Sequence, residues 1–345
     1  MAKDIVDELR DAVMAPGISG YEDQVRKHVR KKTGAKNIEE DNIGNLILRL
    51  GKKNAKTPSL AIVAHMDEVG LVVTNILDDG TLKFKKVGGI YDDVLIARGV
   101  DIHTSKGPVN GTIGFPAPHL KIEGEEKKKQ TWDKMVIDVG TRSRKETERI
   151  GIRLLDPITI KKDFFLLNGK IVCTKSLDNR ASVTALLQVY ENIKNLRFKG
   201  EVCLVWSVQE EMGLRGARVI ANTNEFDYVI ALDTYSSTDC PGTGNFYEPK
   251  RLGEGPVLRM VDVRVIATPK FRDMVEKIAR KAKIPYQIGV TGGSTDGMAM
   301  QESGSAILPI GIPMRYTHSP TECIHIDDLK NLIKLVTAVV KDFQK

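Results

Sequence analysis

The sequence predicts an α/β fold, a mixed sheet between two helical layers with a small β-rich unit inserted into it. Three observations lead there. Helical and strand periodicities alternate toward both ends of the chain. Between about residues 71 and 162 the texture changes to short alternating segments broken by Gly, Pro and Asp. Finally, 345 residues exceed the usual reach of one hydrophobic core. The expected division is a discontinuous main domain, residues 1–70 and 163–345, around an inserted unit at 71–162.

Taken in order, Ile5, Leu9, Val13 and Met14 recur at helical spacing. "APGIS" breaks that helix, and Ser19 with Glu22 offers a capping box for a second one in "YEDQVRKHVRKKTG". "GNLILRL" reads as a strand and "SLAIVAH" as a buried one. In the inserted unit, "LVVTNILDDGTLKFKKVGG", "VLIARGVDIHTSKGPVNGTIGF" and "IGIRLLDPITI" alternate between the turn signals "DDG", "GG", "SKG" and "NG". The charged stretch "PAPHLKIEGEEKKKQTWDK" is expected as an exposed or mobile loop. The α/β rhythm then returns. "ASVTALLQVYENIKNL", "GARVIANTN" and "KFRDMVEKIARKAK" read as helices, and "EVCLVWSVQ", "FDYVIALDT" and "AILPIGIP" as strands. "IDDLKNLIKLVTAVVKDF" closes the chain with Leu332, Ile333, Val336, Val340 and Phe343 on one stripe.

Composition narrows the class. Hydrophobic residues at 41% and charged residues at 28% fit an ordinary globular protein. No apolar run approaches the roughly 20 residues of a membrane span. "MAKDIVDELRDAV" mixes acids into an amphipathic helix and resembles no export signal, so a cytoplasmic location is expected. Four cysteines without CxxC spacing read as thiols in a reducing compartment. The net charge is +7, but acids accompany the basic runs "RKHVRKK" and "EGEEKKKQ" and no aromatic platform does. A solvated surface is therefore expected, with no nucleic-acid or membrane partner.

In open α/β sheets, functional groups gather beyond the carboxyl ends of strands. Those ends carry His65 and Asp67 in "LAIVAHMDEVG", Asp178 in "VCTKSLDNRAS", Glu210 and Glu211 in "LVWSVQEEMG", Asp233 in "YVIALDT" and His318 in "IPMRYTHSP". Two histidines among several carboxylates suit a borderline divalent cation, Zn²⁺ or Co²⁺, with Mn²⁺ a third candidate. The acids outnumber what one tetrahedral ion needs. Two ions sharing a bridging carboxylate account for the surplus. One of the adjacent glutamates would then bind metal while the other handles a proton. Neighbours in a strand point to opposite faces, so both reach one site only if the backbone turns there, as "MGLRG" allows. "GGSTDG" lacks the lysine of a phosphate loop and reads as a tight substrate-side loop. His28, His103, His119 and His325 are read as non-ligands.

The ordered set "AHMDEVG", "SLDNR", "VQEEMGLRGA", "ALDT" and "YTHSPTE", with "APGISGYE" before it, resembles the M42 metallo-aminopeptidases, including the tetrahedral (TET) enzymes, over nearly the whole chain. The resemblance implies an aminopeptidase with two divalent ions per subunit. Asp178 would bridge, His65 and Asp233 would complete one ion, and Glu211 and His318 the other. Glu210 becomes the general base and acid, and Asp67 the partner that orients His65. It also implies a cis Asp178–Asn179 peptide, a PDZ-like inserted domain for dimerisation, and dimers assembling into a tetrahedral dodecamer that acts on peptides. Two alternatives stay open at this stage. One is another dinuclear metallohydrolase on this scaffold, a carboxypeptidase or an N-acyl amino acid deacylase. The other is a peptide-binding scaffold that keeps its metals for stability. The side-chain preference, acidic, basic, apolar or glycine, is left to loops such as "GTGNFYEP" and "GGSTDGMAM".

Overall fold

The computed structural model describes residues 4–115, 119, 130–244 and 248–344. Helix α1 (Ile5–Met14) is capped by the Asp4 side chain and buries Leu9, Ala12 and Val13, while Met14 is exposed. Helix α2 (Asp23–Thr33) does not form the expected capping box. Instead the Ser19 hydroxyl donates to Asp67 at 2.6 Å, and the Glu22 carboxylate accepts from the backbone N–H groups of Gly20 and Gln209. Both side chains are buried, and in this region buried acids must be paired before a helix end can claim them.

The strands that follow are β1 (Ile38–Glu40), β2 (Leu46–Leu50) and β3 (Leu60–His65), then β4 (Gly70–Ile76), β5 (Leu82–Val87), β6 (Gly99–Thr104), β7 (Gly107–Ile113), β8 (Ile137–Asp138) and β9 (Pro157–Ile160). Strands β4 to β9 close into a barrel in the order β4-β5-β8-β7-β6-β9, which leaves no open edge. The barrel has its own core of Leu71, Val73, Phe84, Val100, Ile102 and Ile158. Helix α3 (Arg144–Arg149), capped by Ser143, interrupts the expected β texture, and only the end of "IGIRLLDPITI" is strand. Most of the charged loop, residues 116–118 and 120–129, lies outside the described residues.

The rest of the chain gives β10 (Phe165–Leu167), β11 (Ile171–Thr174), α4 (Leu177–Ile193), β12 (Val202–Ser207), α5 (Arg215–Thr223), β13 (Tyr228–Ser236), β14 (Val257–Val261), α6 (Pro269–Lys281), β15 (Gln287–Val290), α7 (Gly297–Glu302), β16 (Ala306–Arg315), β17 (Glu322–His325) and α8 (Ile326–Phe343). The main sheet runs β1-β2-β12-β3-β13-β16-β17-β11-β10, with β14 and β15 joined through β16. Its centre, β12, β3, β13 and β16, is parallel, and antiparallel pairs flank it on both sides. Every residue of β3 and β12 is buried, as strands covered on both faces require. Along β3, Leu60, Ile62 and Ala64 pack with residues of α1, α4 and α8, whereas Ala61 and Val63 pack with α5 and α7. The fold is thus a mixed sheet between helical layers plus a small β-barrel. Among the described residues no helix is long and apolar enough to cross a membrane.

Both chain crossings into the barrel meet at one buried carboxylate. Glu68, just before β4, lies 2.6 Å from Lys162 Nζ, 2.5 Å from Lys175 Nζ and 3.4 Å from Arg180 Nη2. Ser176 also donates a hydroxyl to it. Arg180 further donates to the carbonyls of Ala15 and Met66, which ties the first turn of α4 to both N-terminal segments. Burial would raise the Glu68 pKa, but the three cations override it and hold the group well below 4.5. Burial likewise lowers Lys162 to about 7. Glu68→Ala strands these cations in the interior and is expected to cost about 3–5 kcal/mol, read as a drop in the denaturation midpoint. Because the folded pKa is depressed, this contribution is present above 4.5 and fades as pH falls below it, so the wild type loses more stability on acidification than the variant does.

Candidate active site

The carboxyl ends of the parallel strands place the acids and histidines together. His65, the last residue of β3, turns Nε2 toward Asp178 Oδ1 (3.3 Å), Asp233 Oδ1 (3.8 Å) and Glu210 Oε2 (3.9 Å). Its Nδ1 faces the Asp67 carbonyl at 3.2 Å and the Asp67 carboxylate at 3.4 Å. Asp178 stands where α4 begins with non-helical dihedrals, and the Asp178–Asn179 peptide is cis. The Asp178 N–H donates to Glu322, and Thr234 Oγ1 donates to Asp178 Oδ2 at 3.1 Å.

Glu210 and Glu211 lie three and four residues beyond β12 rather than at its end. The chain swings through Gln209 at φ 55° into a single 3₁₀ turn, so the two side chains fall on one side. Asp67 fixes that turn by accepting the N–H of Glu210 at 3.0 Å and of Glu211 at 3.2 Å. Asp233 does not end its strand either. Strand β13 continues to Ser236 because Thr234, Tyr235 and Ser236 pair with Ile312, Pro313 and Met314 of β16. His318 follows β16, with Nε2 at 3.1 Å from Glu211 Oε1 and 3.5 Å from Asp178 Oδ2. Its Nδ1 meets the Gly89 carbonyl at 2.9 Å, so a loop of the barrel orients this ring.

Three donor sets hold their ligand atoms within 4.8 Å: His65, Asp178 and Asp233; Asp178, Glu211 and His318; and His65, Glu210 and Glu211. Asp178 belongs to two of them, and its buried Oδ1 has no hydrogen-bond partner. Mixed imidazole and carboxylate donors around an orphaned oxygen fit divalent cations well. His65, Asp178, Glu211, Asp233 and His318 would hold them. The proton balance shows the same demand for positive charge. Burial alone would lower His318, but Asp178 and Glu211 push it up to about 12. Burial, the charges of Glu211 and Asp233 and, further off, that of Asp296 raise Glu210 well above 4.5 against the opposing pull of His65. Burial, Asp178 next, raises Glu322 to about 8.

Sequence reasoning missed Glu322, Asp296 and Gly89. Glu322 sits inside "YTHSPTE" and bonds the backbone N–H groups of Asp178 and His318, so its motif was visible while its role was not. Asp296, within "GGSTDG", takes a hydrogen bond from Ser207 and is pushed up to about 7 by burial. Gly89 acts through a carbonyl and leaves no side-chain signal. Among the described residues His28, His103 and His325 join no donor set. His103 bonds Thr159 and His325 caps α8. A cavity of about 790 Å³ opens over the acids, lined in part by Gly292, Gly293 and Ser294 of the substrate-side loop. Thr243 of "GTGNFYEP" also lines it, while residues 245–247 of that loop lie outside the described residues.

Acids and histidines gathered at one end of a mixed α/β sheet, with Asp178 common to two donor sets, define a site that could hold divalent cations. More narrowly, the chain belongs to the M42 glutamyl aminopeptidase family, whose model matches residues 44–335, and is a peptidase. It is similar to a lysyl aminopeptidase of Pyrococcus furiosus, 32% identical over 97% of this chain and 96% of that protein. It is also similar to a glutamyl aminopeptidase of Lactococcus lactis, 28% identical over 98% and 96%. The TET1 peptidase of Pyrococcus horikoshii, which can assemble into a tetrahedron or a large octahedral shell, superposes with a TM-score of 0.91 at 38% identity over 98% of this chain and 99% of that one.

Cations that bind only the folded chain stabilise it by mass action. Stripping with a chelator and restoring Zn²⁺, Co²⁺ or Mn²⁺ at about a hundredfold excess over Kd should recover about 2.7 kcal/mol for each ion bound. Differential scanning calorimetry would record a rise of about 4 °C for each ion in a chain of this size.

Proposed function

We propose that the protein is an aminopeptidase that removes N-terminal residues from peptides by two-metal hydrolysis. Asp178 would be shared by both ions, His65 with Asp233 would complete one site, and Glu211 with His318 would complete the other. The observation that carries this reading is Asp178 shared by two donor sets, with Glu210 beside them and, among the described residues, paired only with His65. When bound, the ions supply an acidified water and polarise the scissile carbonyl. Glu210, 3.9 Å from His65 and beside the shared donors, accepts a proton from the attacking water and returns one to the leaving amine. Asp67 holds His65 in its ligating orientation and keeps the Glu210 turn in place.

The proposal extends to organisation. Residues 1–70 and 163–345 form the catalytic domain, and 71–162 form a PDZ-like unit for dimerisation. The closed barrel and the resemblance to an assembling TET1 peptidase support dimers that build a tetrahedral dodecamer. Four free cysteines support a cytoplasmic setting.

Hydrolysis of amino-acid amides and of N-blocked peptides separates this reading from a carboxypeptidase or deacylase. Amides with a free α-amine should be turned over, and activity confined to blocked peptides would sink the proposal. Glu210→Gln should keep both metals by elemental analysis while kcat falls about 10²- to 10⁴-fold. An unimpaired variant would remove Glu210 from its role.

A further inference from the structure

We propose that the inserted barrel carries the leaving part of the peptide: a hollow beside Glu211 takes the residues after the N-terminal one, preferring an apolar side chain followed by a carboxylate. This rests on the aminopeptidase reading. The hollow, about 460 Å³, is lined by Lys85 and Lys86 of β5, by Gly88 and Trp132, and by Glu211 and Met212 of the turn after β12. Glu211 also lines the cavity over the acids, so the two spaces flank one side chain. The charges on either side of it set a direction. Asp178, Glu210 and Asp233 line the cavity and not the hollow, so the ammonium group of a substrate belongs in the cavity. One end of the peptide is thereby fixed, and the chain beyond the scissile bond runs past Glu211 onto the barrel.

The walls of the hollow are held in place. Gly88 follows β5 at φ 85°, and its N–H donates to Met212 Sδ at 3.2 Å. A Cβ on Gly88 would come 2.6 Å from Val69 Cγ1 and 3.3 Å from Glu211 Cβ, so glycine is what lets the barrel close on the turn. Asp92 secures the far side. Its Oδ1 pairs with Lys86 Nζ at 2.6 Å, and its Oδ2 accepts the Trp132 N–H at 3.3 Å. The half-buried Trp132 ring, 6.4 Å from that of Phe84, and the Met212 side chain, 39% exposed, supply apolar surface.

The two lysines are not equivalent. Lys86 is spent on Asp92 and on the Ile90 carbonyl. Lys85 is exposed and has no ion-pair partner among the described residues. Its ammonium group complements a carboxylate, either the side chain of a downstream Asp or Glu or the C-terminus of a short peptide. A lysine in the downstream chain would meet like charge.

The test uses the metal-loaded full-length protein and C-amidated tetrapeptides sharing the N-terminal residue whose amide is turned over fastest. Leu or Gly stands second, and Glu, Gln or Lys stands third or fourth; tripeptides with free and amidated C-termini complete the set. In kcat/KM, Leu should exceed Gly, and Glu should exceed Lys several-fold at the third or fourth position, by a margin that shrinks as salt rises. A preference confined to the free C-terminus assigns the carboxylate to the chain end. Lys85→Glu should reverse the charge preference, and Trp132→Ala should shrink the Leu/Gly ratio. The exposed Lys85 variant decides the matter if the Trp132 variant fails to fold. Rates blind to downstream charge, or a charge preference that Lys85→Glu leaves intact, overturn the subsite and leave the aminopeptidase reading standing. Cleavage of N-blocked peptides alone would overturn both.

Discussion

Four carboxylates and two imidazoles converge at one end of a parallel sheet, in a place where water can do little to screen them. The arrangement that results depends on how this like charge is contained. Two further buried acids help to contain it by gripping backbone. Asp67 takes the N–H groups of Glu210 and Glu211, and Glu322 takes those of Asp178 and His318. Each outer acid thus crosslinks segments that carry inner ones. Because the outer acids hold the loops, Asp178 keeps its Oδ1 free of hydrogen bonds while its Oδ2 accepts only from Thr234.

The barrel is part of this containment. Gly89 orients His318 from one side of the boundary, and Glu68 locks both chain crossings to Ser176, the residue before α4 and two before Asp178. The inserted unit and the acid cluster therefore share a rigid seam. A displacement of the barrel would reach the acid cluster through two links, Gly89 to His318 and Glu68 to Ser176.

The sheet was legible because β3, β12, β13 and β16 are continuous apolar runs, and the donors were legible because they follow those runs. What misled the reading was competition for polar groups. Ser19 and Glu22 have capping-box spacing, yet the acid cluster draws on both, Ser19 as a hydroxyl donor to Asp67 and Glu22 as an acceptor for the Gln209 turn. The end of β13 was placed at Asp233, but its pairing with β16 carries it further. Strand β17 has only four residues and is defined by its neighbours β11 and β16, which a local pattern does not reveal. Glu322 heads that strand, so its role was hidden with it.

The adjacent glutamates show where the local rule had to give way. Placing both on one side takes Gln209 and Leu214 into the left-handed region at φ 55° and 58°, a conformation that costs a residue with a Cβ about 1–2 kcal/mol. A glycine at either position would relieve that strain. What holds the turn instead is a set of hydrogen bonds: Gln209 N–H to Glu22, Glu210 and Glu211 N–H to Asp67, and Gly216 N–H to the Val208 carbonyl. Four bonds at roughly 1 kcal/mol each, more where the acceptor is ionised, offset two strained residues. The turn is therefore held by the acids behind it, which makes the geometry of Glu210 a property of the whole cluster rather than of its own segment.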